Sequence, residues 1–494
     1  MEVNHVIFLK LKTMTTDYTI IWSNSDLRIT GPENIKLQNK LKYTEKRLEP
    51  KTHGWGFQVR FKTVEIYNMQ RNLDGTVTYQ TFQGLLDVVI ALLKKQKLTY
   101  TIYDNRGAFP KPRLEFMKGF RFNQQEVITK ALLADKSGLV SAPTRYGKTV
   151  LMTNTINAYP DLHIAVLAPG IDLLQQLKLA IETYCPTREV AGIYSGSRSK
   201  KESDDVTVCS FDSLHKIDMP SYDLVLIDEP HAAVSEGRAY HLLGFTKARI
   251  LGFGATLEGR WSGNDIMIKG LIGPVISEVT YKECVAMGAL CPIHVYFVPV
   301  TYTGQGIKSR DAALKRYLYN NETFQSLVGK ISNEILPASW QTLLFINNEK
   351  QAENLLPKVQ DGFLAMAKLF KNKDERSSIF AKLKNEELKR VLCTNIYSTG
   401  VTIDNIRAIV NCDAAGAGGI LSIQKPGRLA EIKPNKKEGV LIDFLFTPKN
   451  PDKCSPEDLA LYKAAMARYK AYTDKGYIVD IIPDISLIKF DQQS

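Results

Sequence analysis

The sequence predicts an α/β protein with two tandem parallel-sheet domains, preceded by a small α+β domain. Three observations carry this. At 494 residues the chain is too long for one core and suits two to four domains. From about residue 120 onward, short β-rich apolar runs alternate with helical segments, the pattern of a parallel sheet covered on both faces. The first ~115 residues read differently, as short apolar or aromatic runs separated by turn signals.

In chain order, the leading region offers strand candidates at Val6–Leu11, Tyr18–Trp22, Gly56–Phe61, Val64–Tyr67 and Thr76–Tyr79, with a turn at Asp74-Gly75. One helical run follows over Phe82–Lys95, with Leu85, Leu86, Val89, Ile90 and Leu93 on one face. Asn105-Arg106-Gly107 to Pro110-Lys111-Pro112 reads as a linker. The next strands are expected at Ile164–Ala168, Val206–Ser210, Leu224–Ile227 and Ile250–Phe253. A second group is expected at Thr342–Ile346, Arg390–Thr394, Ala408–Val410 and Gly439–Phe444, with the join near 275–305. The end, helical around Pro456–Tyr472 and then apolar over Tyr477–Ile488, reads as a cap on the last domain. The expected domains are 1–115, 116–285 and 286–494.

Apolar residues make up 44% and charged residues 23%, a globular composition. The longest largely apolar stretch, Leu85–Leu93, is broken by Asp87 and falls short of the roughly 20 residues that span a bilayer. The start, Met1-Glu2-Val3-Asn4-His5, has no basic n-region. Cys185, Cys209, Cys284, Cys291, Cys393, Cys412 and Cys454 are scattered and form no CxxC pair. A cytoplasmic protein with reduced thiols and no membrane is expected. Lys and Arg number 64 against 52 Asp and Glu, a net +12, of which residues 1–115 carry +7 (18 against 11). Such an excess suits either a polyanion partner or a merely basic surface.

Two motifs carry chemistry. Ser141-Ala142-Pro143-Thr144-Arg145-Tyr146-Gly147-Lys148-Thr149 lies between the apolar Gly138–Val140 and the helical Val150–Ala158. In a phosphate-binding loop, backbone N–H groups and a helix N-terminus cradle phosphates. Lys148 would meet the β- and γ-phosphates and Thr149 a Mg²⁺. Ala142 stands where such loops usually begin with Gly. About 80 residues on, Val225-Leu226-Ile227-Asp228-Glu229-Pro230-His231 delivers two adjacent carboxylates to a strand end. Asp228 can hold Mg²⁺, partly through water, and Glu229 can polarise an attacking water. Either motif alone could be an ordinary turn; together they point to nucleotide hydrolysis.

With these residues in place the sequence resembles the DExH superfamily 2 helicases, from about 118 to 445. Arg121-Phe122-Asn123-Gln124 is similar to the adenine-reading element and Ala142–Thr149 to motif I. Pro169–Gln176 and Thr207–Leu214 resemble motifs Ia and Ib, Asp228–His231 motif II, and Gly254-Ala255-Thr256 motif III. Thr342–Asn347 with Ala352 looks like motif IV, Val391–Thr394 with Ser398-Thr399-Gly400 like motif V, and Gln424-Lys425-Pro426-Gly427-Arg428 like motif VI. The resemblance implies two RecA-like domains with ATP and Mg²⁺ between them. Catalysis falls to Lys148, Asp228, Glu229 and Arg428. Nucleotide binding falls to Arg121, Gln124, the loop Pro143, Thr144, Arg145, Tyr146, Gly147, Lys148 and Thr149, and to Gly400 and Gln424; Thr149 and Asp228 hold the metal. Departures are Glu431 where motif VI ends in Arg, Thr402 where Asp is common in motif V, and Arg145 and Tyr146 where small residues are usual. Lys433 is a candidate substitute for the missing arginine.

The leading region more loosely resembles the accessory domain of phage-encoded recombination helicases, through Lys40–Tyr43, Gly54–Phe61 and Thr81–Leu86. There, Lys40, Lys42, Lys46, Arg47 and Lys51 lie among Tyr43, His53, Trp55 and Phe57, a mixture suited to phosphate contact beside base stacking. The expected function is an ATP-dependent DNA helicase or translocase that remodels forks and Holliday-like junctions in recombination, repair or replication. An RNA-directed helicase and a nucleic-acid-binding protein with a decayed ATPase are the alternatives. Trp261, in Glu258–Asn264, is a candidate strand-parting wedge or an inward-packed connector residue.

Overall fold

The computed structural model describes residues 16–50, 57–197, 201–234, 239–255, 265–366, 373–394, 405–413, 425–434 and 436–490. Its leading sheet is formed by β1 (Tyr18–Trp22), β2 (Asp26–Gly31), β5 (Tyr67–Arg71), β6 (Val77–Phe82) and β7 (Tyr100–Asp104), in the order β5-β6-β2-β1-β7. β7 pairs with β1 in parallel and is reached from β6 through α2 (Leu86–Lys95), whose buried Leu86, Val89 and Leu93 supply the apolar face expected of it. The helix starts later than expected. Phe82 is still paired with Asp26 across the sheet, and a short 3₁₀ turn, Gln83–Leu85, comes between.

A separate antiparallel ribbon of β3 (Lys42–Pro50) and β4 (Phe57–Glu65) follows α1 (Ile35–Lys40). Its base is pinned by the buried Leu41 and Ile66, whose backbones are hydrogen-bonded at 3.0 Å. Away from the base, Lys46, Arg60, Phe61 and Lys62 are exposed.

Two all-parallel seven-stranded sheets complete the fold. The first holds β8 (Gly138–Ser141), β9 (Ile164–Ala168), β10 (Val190–Ile193), β11 (Val206–Ser210), β12 (Leu224–Asp228), β13 (Arg249–Gly254) and β14 (Val275–Glu278), ordered β10-β11-β9-β12-β13-β8-β14. The second holds β15 (Ile293–Tyr302), β16 (Gln341–Phe345), β17 (Gly362–Ala365), β18 (Arg390–Cys393), β19 (Ile406–Asn411), β20 (Gly439–Pro448) and β21 (Ile478–Ile481), ordered β17-β18-β16-β19-β20-β15-β21. Counted from each sheet's first strand, the two orders are identical: third, fourth, second, fifth, sixth, first, seventh. These are tandem RecA-like domains behind a small β-rich region.

Central strands such as β9, β12 and β16 are buried at every residue, as a sheet covered on both faces requires. Each Val, Leu or Ile so placed contributes about 1.5–3 kcal/mol relative to exposure. The chain's end does more than cap: β21 is the seventh strand of the second sheet, beside β15. Among the described residues, no helix is long and apolar enough to cross a membrane.

Candidate active site in the interdomain cleft

The parallel sheets point the C-terminal ends of β8, β12 and β13 at one crevice, where open α/β sheets bind ligands. The loop after β8 starts with Ala142, whose N–H donates to Gly254 O at the end of β13 (3.0 Å). It ends on Gly147, which caps α4 (Lys148–Ala158) at φ 101°, a left-handed conformation that a side chain would strain. A Cβ there would also lie 2.5 Å from Gln124 Nε2.

Gln124, at the start of α3 (Gln124–Leu133), is buried and turned into this loop. Its Nε2 donates to Tyr146 O at 2.6 Å, and its Oε1 accepts from Arg121 N–H at 2.9 Å. The Gln124 amide thereby couples the Arg121 turn to the phosphate loop. Tyr146 has a structural reason for its bulk: its ring is buried in the first core, and its hydroxyl donates to Asn123 Oδ1 at 2.6 Å. Pro143 is buried beside it, whereas Thr144, Arg145, Lys148 and Thr149 keep partial access to the crevice.

Lys148 Nζ lies 3.8 Å from Glu229 Oε1, so the phosphate-loop lysine faces the second carboxylate of the β12 end. Glu229 adopts φ 51°, a left-handed turn uncommon for a non-glycine residue, and its Oε2 lies 3.3 Å from His231 Nδ1. Burial acts to raise the Glu229 carboxyl, but Lys148 and His231 outweigh it and hold the group below its ordinary range. Asp228 behaves oppositely. Burial first, and then the Glu229 charge, push its carboxyl well above the usual range. One carboxylate kept ionised beside one that needs added positive charge fits a metal-assisted site, and Thr149 stands on the facing helix.

The second domain closes the crevice with Lys425-Pro426-Gly427 and the 3₁₀ turn Arg428–Ala430. Gly427 packs on the phosphate loop so closely that a Cβ would sit 3.0 Å from Thr144 Oγ1. Arg428 is 7% exposed; burial, then the nearby Arg145 charge, lowers its guanidinium to about 10. Lys436, lowered by burial to about 8, braces this turn by donating to Leu429 O (2.6 Å) and Ile406 O (3.0 Å). Gly400 and Gln424 lie outside the described residues, as do Thr256, Thr402 and Trp261. Lys433, the candidate substitute for the missing arginine, has its Nζ 3.2 Å from Glu431 Oε1.

Two residues that sequence reasoning missed support the site, one across the walls and one within the second. Lys475 Nζ donates to Ala255 O in the motif III segment at 3.2 Å, although 220 positions separate them. Lys436 is the other. Neither belongs to a local pattern, so nothing short of the fold could flag them.

Comparison with known proteins agrees with this arrangement. Residues 118–259 match the family described as "Type III restriction enzyme, res subunit", and residues 328–432 match "Helicase conserved C-terminal domain". The protein provisionally named helicase 22 of Sulfolobus islandicus filamentous virus is 22% identical, over 67% of this chain and 64% of its own length. The chain therefore spans just under two thirds of that relative. The DNA 3'-5' translocase XPB2 of Sulfurisphaera tokodaii is 24% identical, over 68% of this chain and 84% of its own. In fold, the chain is similar to a fragment of a provisionally named HsdR subunit of a type I restriction enzyme from Vibrio vulnificus. That match has a TM-score of 0.55 and 15% identity, and covers 90% of this chain and 92% of the other. The two family matches fall one on each parallel sheet, in the order that puts the phosphate loop on the first wall and motif VI on the second, so the chain is similar to helicases across both sheets.

Proposed function

We propose that this helicase couples ATP hydrolysis to the remodelling of DNA, with forked or branched duplex as its substrate, in recombination, repair or replication. The observation that carries the motor reading is the crevice itself. Lys148 faces Glu229 at 3.8 Å on one wall, and Gly427 of the other wall, next to the buried Arg428, packs against Thr144 of the phosphate loop.

The residues present fit Mg²⁺ and a nucleotide triphosphate. Asp228 is a buried carboxylate whose charged form needs a cation, and Lys148 and the α4 N-terminus offer positive potential opposite it. Thr149 and Asp228 would hold Mg²⁺, which when bound neutralises charge on the phosphates. Glu229, held ionised by Lys148 and His231, is placed to accept the proton of the attacking water. Arg428 is placed to stabilise charge on the transferred group. Opening and closing of the Gly427–Thr144 contact moves one sheet against the other, and the motif Ia and IV segments ride on the two sheets.

The DNA assignment leans on the leading region, 1–115, as a nucleic-acid-binding accessory domain. Its β3–β4 ribbon pairs nine residues with nine, and the register sets the exposed Lys46 opposite the exposed Phe61. A basic ribbon of this size can enter a groove, and an exposed ring next to ammonium groups can stack on an unpaired base. Lys42 is partly committed, at 2.7 Å from Glu65. Lys51, His53 and Trp55 lie outside the described residues, and Phe57 begins β4. The relative named a DNA translocase supports DNA over RNA.

The test is the rate of ATP hydrolysis with single strand, blunt duplex, fork and four-way junction, and their RNA equivalents, at one salt concentration. Greatest stimulation by DNA forks and junctions, lost in Lys148→Ala, is expected. Greater stimulation by RNA would overturn the DNA reading. Hydrolysis that no nucleic acid stimulates would favour a decayed motor.

A further inference from the structure

The phosphate loop carries a large cation at a point where such loops carry small residues, and motif VI carries a carboxylate where it normally ends in arginine. In the structure these two departures meet. Arg145 Nη2 lies 3.7 Å from Glu431 Oε2 across the crevice, with the side chains only 17% and 21% exposed. The phosphate loop belongs to the first parallel-sheet domain and the motif VI turn to the second, so the pair bridges the two walls. Arg145 has φ 73°, a left-handed backbone that few non-glycine residues adopt. Its charge is also felt by Arg428, the buried arginine of the same turn.

The pair is a contact rather than a lock. At 3.7 Å it is longer than a hydrogen bond, and Glu431 Oε2, though buried, has no hydrogen-bond partner among the described residues. The other oxygen of Glu431 faces Lys433 at 3.2 Å. Glu431 thus has a second cation to pair with if Arg145 turns away, so separating the first pair would not strand a buried charge. Arg145 is carried by the very loop whose N–H groups and Lys148 would face the phosphates of a bound nucleotide. A terminal phosphate, with more negative charge than one carboxylate, competes for the guanidinium and can take it in bidentate fashion.

We propose that Arg145, supplied by the phosphate loop, is the second arginine of the hydrolysis site, and that Glu431 on the opposite wall is its resting counter-ion, yielding it to the terminal phosphate when nucleotide enters. The charge that relatives bring from the second domain is here stored on the first, and the missing motif VI arginine is replaced across the cleft. Glu431 acts through Arg145 and is a positioning residue. The proposal rests on the ATPase reading above.

Steady-state ATP hydrolysis by the full chain tests it, with Lys148→Ala as the control for the reading itself. Arg145→Gln is expected to lower kcat about 10²- to 10³-fold, the usual effect of removing one donor aimed at developing charge. Glu431→Gln is expected to lower KM for ATP several-fold, because the phosphate no longer competes with a carboxylate. Glu431→Arg, which returns arginine to its family position, is expected to raise kcat of the Arg145→Gln variant at least tenfold. That rescue is a readout that a merely structural role would not move. Should Arg145→Gln melt early, Arg145→Gly removes the guanidinium while relaxing the left-handed backbone, and carries the same expectation. Hydrolysis by Arg145→Gln or Arg145→Gly within threefold of wild type would overturn the proposal. So would a failure of Glu431→Arg to rescue, or an unchanged KM in Glu431→Gln. If the wild type shows no Lys148-dependent hydrolysis, the ATPase reading falls and takes this one with it; the other failures leave that reading standing.

Discussion

The two parallel sheets share one strand order, yet they treat charge in opposite ways. In the first, the fifth strand, β12, ends on Asp228 with Glu229 next in line, and burial, then the Glu229 charge, raises the Asp228 pKa. In the second, the equivalent β19 leads to Asp413, which is ion-paired with Lys425 inside the same domain. The sixth strand, β20, carries the fully buried Asp443, held by Arg468 through two hydrogen bonds of 2.8 and 2.9 Å and by Tyr472 Oη at 3.0 Å. The loops after the first strand diverge likewise. After β8 comes the open phosphate loop. After β15, the Gly306 N–H is taken by the buried carboxylate of Asp458, which also accepts from Tyr317 Oη and Ser455 N–H. One fold, then, is used once with its end carboxylates left open to a ligand and once with the carboxylates Asp413, Asp443 and Asp458 satisfied internally. Strand order places the ends; the side chains decide whether a ligand is needed.

The largest expected effect separates the two fifth strands. Glu229→Gln should reduce ATP hydrolysis about 10²- to 10⁴-fold. Asp413→Asn, at the matching place in the second sheet, should leave hydrolysis within about tenfold and lower the urea midpoint instead. Equal losses of activity in both would break the comparison.

Next is the Asp443–Arg468 pair. Asp443→Asn leaves a buried guanidinium short of its counter-charge, and should cost about 3–5 kcal/mol in chemical denaturation of the second domain. Asp443→Leu combined with Arg468→Met should recover most of it. A double variant as unstable as the single would show that the pair is more than internal neutralisation.

Asp458→Asn should cost about 1–3 kcal/mol at neutral pH. Although burial acts to raise it, the hydrogen bonds to Asp458 win and set its carboxyl below the ordinary value. Its contribution is therefore present in full above about pH 4 and is lost as pH falls through the depressed folded-state pKa. A difference between wild type and variant that grew on acidification would be the wrong sign.

The smallest effect sits at the sheet edges. β14 is fastened by bonds with no titratable imidazole, such as Ser277 Oγ to Val127 O (2.7 Å), whereas β21 is tied to β15 by His294 Nε2 against Asp480 (2.6 Å). Burial acts to lower the imidazole, but Glu438 and Asp480 outweigh it and raise its pKa. The tie is complete below about pH 6.5 and is lost as pH rises through the raised folded value. His294→Gln should thus cost under about 1 kcal/mol near pH 6 and nothing by pH 9. Pulsed proteolysis of the chain's end would read it.

How far the sequence could be read follows from the same physics. Ile164–Ala168 and Val206–Ser210 match their strands end to end, because strands covered on both faces are mostly apolar and rich in β-branched residues. β21 escaped because Ile478 and Ile481 are about half exposed and the strand has only one covered side. β4 was expected as two pieces, for Lys62 and Thr63 face solvent on a ribbon with no core to imprint a period on it. Within the site, Lys148, Asp228 and Glu229 stood out because loop chemistry is local. The pairing of Arg145 with Glu431, and of Lys475 with Ala255, joins residues hundreds of positions apart. Only packing brings those together.

The junction of the leading region with the first parallel sheet has a consequence for how force would be delivered. A Cβ on Gly84 would lie 2.0 Å from Lys269 O and 2.7 Å from Gly273 Cα. Gln83 Nε2 donates to Ile272 O at 3.2 Å, and the Phe82 ring lies against Gly270. The seat, on and just after helix Asp265–Leu271, leaves no room to slide. The β3–β4 ribbon is then an outrigger bolted to one half of the engine. Under the function proposed above, DNA held by the ribbon would stay in the frame of the first sheet through any nucleotide-driven stroke, and the second sheet would do the hauling.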